Sequence, residues 1–87
     1  MNKYYLYILK CSDETLYTGI TTDLKRRLKE HNSSNLGAKY TSGRRPVELV
    51  YQTKFNGRAQ ASQAEAHLKK LSRLKKLALI THGLRPK

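Results

Sequence analysis

Residues 3–11 read KYYLYILKC and residues 16–21 read LYTGIT. Both stretches are rich in aromatic and branched residues, which is typical of β-strands. The turn-forming residues between them, SDET at 12–15, predict that the two strands form a β-hairpin. Gly19 inside the second strand indicates either a bulge or a group that comes close to the backbone there. The rest of the chain has to pack around this hairpin.

Whether Tyr7 and Tyr17 lie together depends on the hairpin connection. A two-residue loop at 13–14 would pair Tyr17 with Lys10 and place the two phenols on opposite faces of the sheet. A three-residue loop, or a bulge at Gly19, would place them on the same face. A site shared by the two phenols requires the second arrangement. In the first, both residues are aromatic side chains that fill the strands.

Beyond the hairpin, the sequence predicts a long connection at residues 32–46, NSSNLGAKYTSGRRP, between further helices and a strand. These elements are a first helix capped by Thr21 or Thr22 and ending near His31, a strand at 47–55, a helix at 58–71, and a short helix opened by Ser72 and stopped by Gly83. The predicted fold is α+β, with a small three-stranded, mainly antiparallel sheet flanked by three helices in the order ββαβαα.

The net charge of +12 comes from 18 Lys and Arg against six Asp and Glu, and the cations are spread along the whole chain. A folded domain with this excess repels itself unless it binds a polyanion, which favours nucleic acid as the partner. A surface tuned only for solubility usually mixes the two signs. Binding to a membrane surface is less well supported, because no predicted helix carries a large aromatic face.

Chain length and composition indicate a single domain at residues 1–83 followed by a short basic tail at 84–87. No apolar run approaches the ~18 residues that span a bilayer, and no secretory leader precedes the first strand. The single Cys11 excludes an internal disulfide and is expected to be a strand thiol. We therefore expect a cytoplasmic monomer.

Two polar residues of the first helix lie beside its apolar stripe. On a helical wheel Leu24 and Leu28 form the stripe, and Arg27 and His31, four residues apart, share its margin. Arg27 is therefore directed toward the sheet. An arginine whose stem covers the edge of the core, beside a structural histidine, would give the same pattern.

Glu65 lies beside the apolar stripe of the helix at 58–71 and is the only acidic residue after position 50. A carboxylate at the edge of a core has to be hydrogen-bonded, paired with a cation or bound to a metal. A salt bridge to a neighbouring Lys or Arg and a metal site both fit this position.

At these residues the chain resembles the GIY-YIG nuclease superfamily, and in particular its small stand-alone bacterial members (YhbQ/YazA-like). The segments that carry the resemblance are Tyr5-Leu6-Tyr7, Tyr17-Thr18-Gly19, the helix containing Arg27, His31 and Asn32, residues 37–46, and Ala61 to Arg73 around Glu65. Five elements in this order and at this spacing are a more specific signal than the tyrosine pair alone.

This resemblance implies a metal-dependent, endonuclease-like domain that hydrolyses phosphodiester bonds in nucleic acid. We expect DNA rather than RNA, recognised by structure rather than by sequence, because few elements remain to read bases. The implied roles are catalysis for Tyr7, Tyr17, Arg27, His31 and Tyr40, metal binding for Glu65, and a structural role for Gly19. The basic residues expected to bind nucleic acid are Lys39, Arg44, Arg45, Lys69, Lys70 and Arg73.

The expected cofactor is Mg²⁺, or another divalent cation such as Mn²⁺, because a carboxylate oxygen with retained waters suits these ions. A second hypothesis is a nucleic-acid-binding module that does not cleave, or cleaves weakly, for which Glu65 is not needed. A third is a basic protein that associates with ribosomes.

Overall fold

The computed structural model describes residues 3–33 and 39–83, except for the side chains of residues 39, 40, 82 and 83. Its elements are β1 (Tyr4–Lys10), β2 (Leu16–Thr21), α1 (Leu24–Ser33), α2 (Lys39–Ser42), β3 (Glu48–Phe55), α3 (Arg58–Lys69) and α4 (Arg73–Gly83). The strands form one antiparallel sheet in the order β2-β1-β3. The predicted α+β fold is confirmed. The four-residue helix α2 lies within the stretch predicted only as a connection.

The hairpin between β1 and β2 has a three-residue loop, Ser12–Glu14. Cys11 closes it through two backbone hydrogen bonds, one to the Thr15 carbonyl at 2.8 Å and one from the Glu14 amide at 3.0 Å. Glu14 adopts a positive φ of 70°, as the last residue of such a loop requires. Asp13 stabilises the turn by accepting hydrogen bonds from the Thr15 amide and hydroxyl.

This loop sets the register of the hairpin. Leu9 lies opposite Tyr17, and Tyr7 lies opposite Gly19. Because alternate residues share a face, Tyr7 and Tyr17 lie on the same side of the sheet, as a shared site requires. The register irregularity of the sheet lies instead between β1 and β3, after Ile8.

Each face of the sheet has its own core. The α1 face consists of Tyr7, Leu9, Cys11 and Val47, against which Leu24 and Leu28 pack. The α3 face consists of Leu6, Ile8, Val50 and Leu68, together with the partly buried Ala64, Leu71, Leu79 and Ile80 of α3 and α4. The sheet therefore lies between α1 on one side and α3 with α4 on the other.

Side-chain caps start two of the helices, α1 and α4. At α1 the cap is Asp23, whose Oδ1 accepts a hydrogen bond from the Arg26 amide at 3.1 Å. The sequence predicted Thr21 or Thr22 as the cap of this helix. Thr21 Oγ1 instead accepts a hydrogen bond from the amide of Asp23, the residue just before the helix. At α4 the predicted cap is confirmed, since Ser72 Oγ accepts from the Lys75 amide.

Over the described part of the chain, none of the helices has the length and apolar character to cross a bilayer.

Candidate active site

A chain of buried polar side chains begins at Tyr7, in the middle of β1. The Tyr7 hydroxyl lies 3.1 Å from His31 Nε2, and His31 Nδ1 lies 2.7 Å from Thr41 Oγ1. All three side chains are buried. α1 supplies His31 and α2 supplies Thr41, so the two helices meet over the central strand. Because these side chains hydrogen-bond to one another, burying them away from water costs little free energy.

Tyr17 and Gly19 of β2 form the wall beside Tyr7. The centroid of the Tyr17 ring lies 6.4 Å from that of Tyr7 and 5.3 Å from that of His31, so the three rings pack together. A Cβ at Gly19 would lie 2.6 Å from the Tyr7 hydroxyl oxygen. The close approach predicted at Gly19 is therefore confirmed, and the approaching group is the Tyr7 phenol.

Arg27 reaches the same phenol from α1. Its guanidinium acts on Tyr7 closely enough to favour the charged phenolate, and so to lower the pKa of Tyr7, and its Nη1 donates a hydrogen bond to Glu30 Oε1 at 2.9 Å. The side chain is 26 % exposed, so the cation lies at the solvent-facing end of the buried polar chain. The predicted direction of Arg27, toward the sheet, is confirmed. A phosphate arriving from solvent can meet the guanidinium at this point.

Burial sets the protonation of the two central groups. Burial, assisted by the Arg27 and Arg45 cations, lowers the pKa of His31 from 6.5 to about 4, against an opposing effect of Glu30. His31 is therefore a neutral imidazole near pH 7, with one protonated ring nitrogen. Burial also raises the pKa of Tyr7, although the Arg27 guanidinium acts to lower it. Tyr7 is thus a neutral phenol in the free protein.

Glu65 approaches the site from α3, the helix on the other side of the sheet. Its charge lies near enough to contribute to the raised pKa of Tyr7. The same carboxylate forms an ion pair with Lys69, one helical turn away, with Oε2 3.3 Å from Nζ. Of the two alternatives that the sequence left for Glu65, a salt bridge and a metal site, the structure contains the salt bridge to a neighbouring lysine.

The fit of Glu65 to a metal ion depends on how many ligands the protein supplies. Among the described residues, no three His, Cys, Asp or Glu side chains cluster as a metal site would require. Mg²⁺, however, commonly keeps several waters and binds one or two carboxylates together with substrate phosphates. The Glu65 side chain is 23 % exposed, so such an ion can reach it. The residues fit an ion shared with substrate.

The predicted nucleic-acid-binding cations divide into two groups. Arg44 and Arg45 make contacts within the protein: Arg44 Nε donates to Asp13 Oδ2 at 3.0 Å, and Arg45 Nε donates to the His31 carbonyl oxygen at 2.6 Å. The second group is exposed on α3, on α4 and between them, and consists of Lys69, Lys70 and Arg73. The side chains of Lys39 and Tyr40 lie outside the described residues.

Sequence reasoning missed three contacts that hold His31 in place. Thr41 bonds to its ring, and Arg45 bonds to its carbonyl oxygen. Asn32 bonds to both backbone groups of Val47, accepting from the amide at 2.7 Å and donating to the carbonyl at 3.0 Å. The sequence predicted a long connection at 32–46, but nothing in it specified that residues 41–47 contact α1.

Comparison with known proteins shows the family of the chain. Residues 3–78 match the family model described as the GIY-YIG catalytic domain. The chain belongs to the GIY-YIG family. Relatives of similar size extend the match: a UPF0213 protein of Syntrophus aciditrophicus is 52% identical over 92% of each chain, and one of Staphylococcus saprophyticus is 49% identical over 95% of this chain and all of the relative.

Solved structures of two bacterial relatives share the GIY-YIG fold seen here. The solution structure of the UPF0213 protein BH0048 from Bacillus halodurans aligns with a TM-score of 0.61 at 46% identity, covering 94% of this chain and 87% of the other. Protein EF2693 from E. faecalis aligns with a TM-score of 0.64 at 43% identity, covering 100% of this chain and 93% of that one. Membership of this nuclease family makes nucleic acid the substrate class.

Proposed function

We propose that the protein is a divalent-metal-dependent endonuclease that hydrolyses phosphodiester bonds in DNA and selects its substrate by structure. The observation that carries this proposal is the buried Tyr7–His31 pair, with the partly exposed Arg27 cation at its solvent side and the Glu65 charge within electrostatic range of Tyr7. It combines a phosphate-binding cation, a proton-transfer pair and a carboxylate ligand in one site, which is what hydrolysis of a phosphodiester requires.

Arg27 binds the scissile phosphate through its forked donors and stabilises the charge that develops in the transition state. Tyr7 takes a proton from the attacking water while its own proton passes to His31 Nε2. A phosphate at Arg27 offsets part of the positive charge that lowers the pKa of His31, so His31 becomes a better proton acceptor when substrate is bound. Tyr17 packs against both rings and fixes their orientation.

Glu65 is the residue that would hold the divalent ion. When bound, such an ion supplies Lewis-acid stabilisation of the leaving 3′ oxygen. Lys69 competes for the same carboxylate in the free protein and balances its charge until the ion arrives. The exposed cations Lys69, Lys70 and Arg73 bind phosphates further along the substrate, which adds affinity that falls as salt rises.

The test is a cleavage assay on single-stranded, duplex and branched DNA and RNA, with Mg²⁺, Mn²⁺ or EDTA. We expect cut products with either ion and none with EDTA. Glu65→Gln keeps the shape of the side chain and removes its charge, so cleavage should be lost. Glu48→Gln, an exposed carboxylate at the start of β3, is the control with the same change of charge. Cleavage by Glu65→Gln at the wild-type rate would contradict the assignment.

A nucleic-acid-binding module without cleavage is the second candidate, favoured by the Glu65–Lys69 ion pair and by the lack of a preformed ligand cluster in the described parts of the chain. It predicts salt-sensitive binding to the same substrates, unchanged by EDTA and without products. Loss of binding in a Lys69→Ala, Lys70→Ala, Arg73→Ala triple variant would locate that interface on α3 and α4.

A further inference from the structure

Thr41 is a buried residue beside His31 that has no role in the proposed reaction. Its side chain is fully buried, and its Oγ1 lies 2.7 Å from His31 Nδ1, the ring nitrogen on the side opposite Tyr7. The distance from Oγ1 to the ring is 0.4 Å shorter than that from the Tyr7 hydroxyl to Nε2, which is 3.1 Å. The shorter bond lies on the side of the ring away from the reacting groups.

The hydrogen-bonding capacity of Tyr7 decides which nitrogen of His31 carries the proton. The Arg27 guanidinium carries only donors and acts on Tyr7 from its solvent-facing side, so the Tyr7 oxygen turns a lone pair toward the cation and its proton toward His31 Nε2. Nε2 is then the acceptor. Because His31 is neutral near pH 7, its single proton lies on Nδ1 and is donated to Thr41 Oγ1.

The backbone around Thr41 is held firmly enough to enforce this bond. The Thr41 carbonyl accepts a hydrogen bond from the Arg44 amide at 3.0 Å, and the Arg44 carbonyl accepts from the Ser12 amide at 2.9 Å. Val47 lies three residues after Arg44, and its backbone is held by two hydrogen bonds to the Asn32 side chain of α1. The segment carrying Thr41 is therefore anchored to the hairpin loop and to the helix that carries His31.

We propose that Thr41 is a positioning residue whose hydroxyl holds His31 in the Nδ1–H tautomer and so keeps Nε2 as the acceptor for the Tyr7 proton. A valine in its place has nearly the same shape but no acceptor. His31 Nδ1–H would then be a buried donor without that partner, which favours the Nε2–H tautomer. In that tautomer Nε2 cannot take the proton of Tyr7. The consequence for cleavage depends on the proposed function, but the tautomer itself does not.

The experiment compares wild type, Thr41→Val and Thr41→Ser by long-range ¹H–¹⁵N NMR of the histidine rings at pH 7, with His31 assigned through His31→Gln. We expect the Nδ1–H tautomer in wild type and Thr41→Ser, and a shift toward Nε2–H in Thr41→Val. A wild-type ring protonated on Nε2 overturns the proposal and needs no variant to fold. An unchanged tautomer in folded Thr41→Val overturns it as well.

Cleavage rates provide the second readout. We expect kcat of Thr41→Val to fall about 10- to 100-fold with little change in KM, in the range seen for groups that orient a functional histidine. Thr41→Ser should recover most of the loss, because serine restores the oxygen. If wild type cleaves nothing, the proposed function fails while the tautomer comparison still tests the role of Thr41. An equal loss in Ser and Val variants contradicts a role for the hydroxyl.

Discussion

The two faces of the sheet are built for different purposes. On the α1 face, tyrosine, histidine and threonine side chains form a hydrogen-bonded series within the core, and an arginine side chain lies at its solvent-facing end. On the α3 face the buried cluster is aliphatic, and an open groove of about 470 Å³ lies between β3, α3 and α4. Hydrogen bonds depend on direction, so the polar groups need partners in fixed positions. Dispersion and hydrophobic burial do not depend on direction, so the apolar face tolerates looser packing.

Two buried threonines show the same difference. Thr41, over the α1 face, is bonded to His31. Thr18, which shares the α3 face with Ile8, carries the buried side-chain oxygen that finds no partner among the described residues. The comparison indicates that hydrogen bonds were optimised on the face that carries the site, and it can be tested from either side.

The largest expected effect is on the α1 face, at Arg27. Arg27→Ala removes the cation that contacts Tyr7, and we expect cleavage to fall about 100- to 1000-fold, as when other transition-state donors are removed. Arg26→Ala is the matched control. It removes the same charge from the neighbouring residue, whose side chain is 59 % exposed. The measurement is the single-turnover cleavage rate, with far-UV circular dichroism to confirm folding. Equal losses in both variants would show that only net charge matters.

The second effect is the dependence of stability on pH. The pKa of His31 is lowered from 6.5 to about 4 in the folded protein, so the unfolded chain binds a proton at a higher pH than the folded one. The stability linked to His31 is complete above pH 6.5 and falls by about 3 kcal/mol as pH drops to 4. Urea unfolding between pH 4 and 7.5 measures it.

In this titration His31→Gln should lose the extra slope between pH 6.5 and 4, while His67→Gln, on the exposed side of α3, should keep it. Other groups that titrate in this range contribute equally to both variants, so the difference isolates His31. Parallel curves for wild type and His31→Gln would mean that the ring is not held neutral by burial.

A smaller effect is expected at Gly19, where the α1 face leaves no space. The Cβ of Gly19→Ala would lie 2.6 Å from the Tyr7 hydroxyl oxygen and 2.7 Å from Cζ, so the ring must move. We expect a loss of about 1–3 kcal/mol in unfolding free energy, typical of overpacking. Gly43→Ala has nothing within 4 Å and controls for the reduced entropy of the unfolded chain. A Gly19→Ala protein as stable as Gly43→Ala would contradict the packing described here.

The smallest expected effect is a gain on the α3 face. Thr18→Val replaces a buried hydroxyl that lacks a partner with a methyl group of similar size, and valine suits a strand. We expect about 1 kcal/mol of added stability by urea unfolding, and unchanged cleavage. Thr41→Val is the counterpart on the other face and should lose stability. If both substitutions change stability in the same direction, the contrast between the faces does not hold.

Much of the fold and part of the site could be predicted because the signals were local. Strand alternation and the turn residues 12–15 place Tyr7 and Tyr17 on one face once the loop has three residues. The i, i+4 spacing of Arg27 and His31 gives their shared direction on α1. These features depend on bonded geometry over a few residues, which sequence specifies directly.

The helical wheel, in contrast, placed His31 at the rim of the core, and the structure buries it completely. The difference comes from the segment 41–47, which covers the ring through Thr41 and anchors α1 through Arg45 and Val47. Arg45 was predicted to bind nucleic acid, and its side chain bonds to the His31 carbonyl oxygen instead of projecting freely. The spacing of apolar residues describes one helix by itself and carries no information about a segment elsewhere in the chain that packs over it.

The sequence by itself determined the hairpin and, apart from α2, the succession of strands and helices along the chain, because each follows from alternation, helical periodicity and turn chemistry among near neighbours. The structure decided which hairpin loop forms, and therefore that the two phenols share a face. Only the tertiary structure decided that Glu65 of α3 acts electrostatically on Tyr7, and that Thr41 closes the polar series behind His31. The hydrogen bond and the electrostatic interaction link residues ten and 58 positions apart in the chain, and they arise only when burial of both faces of the sheet brings separate helices together.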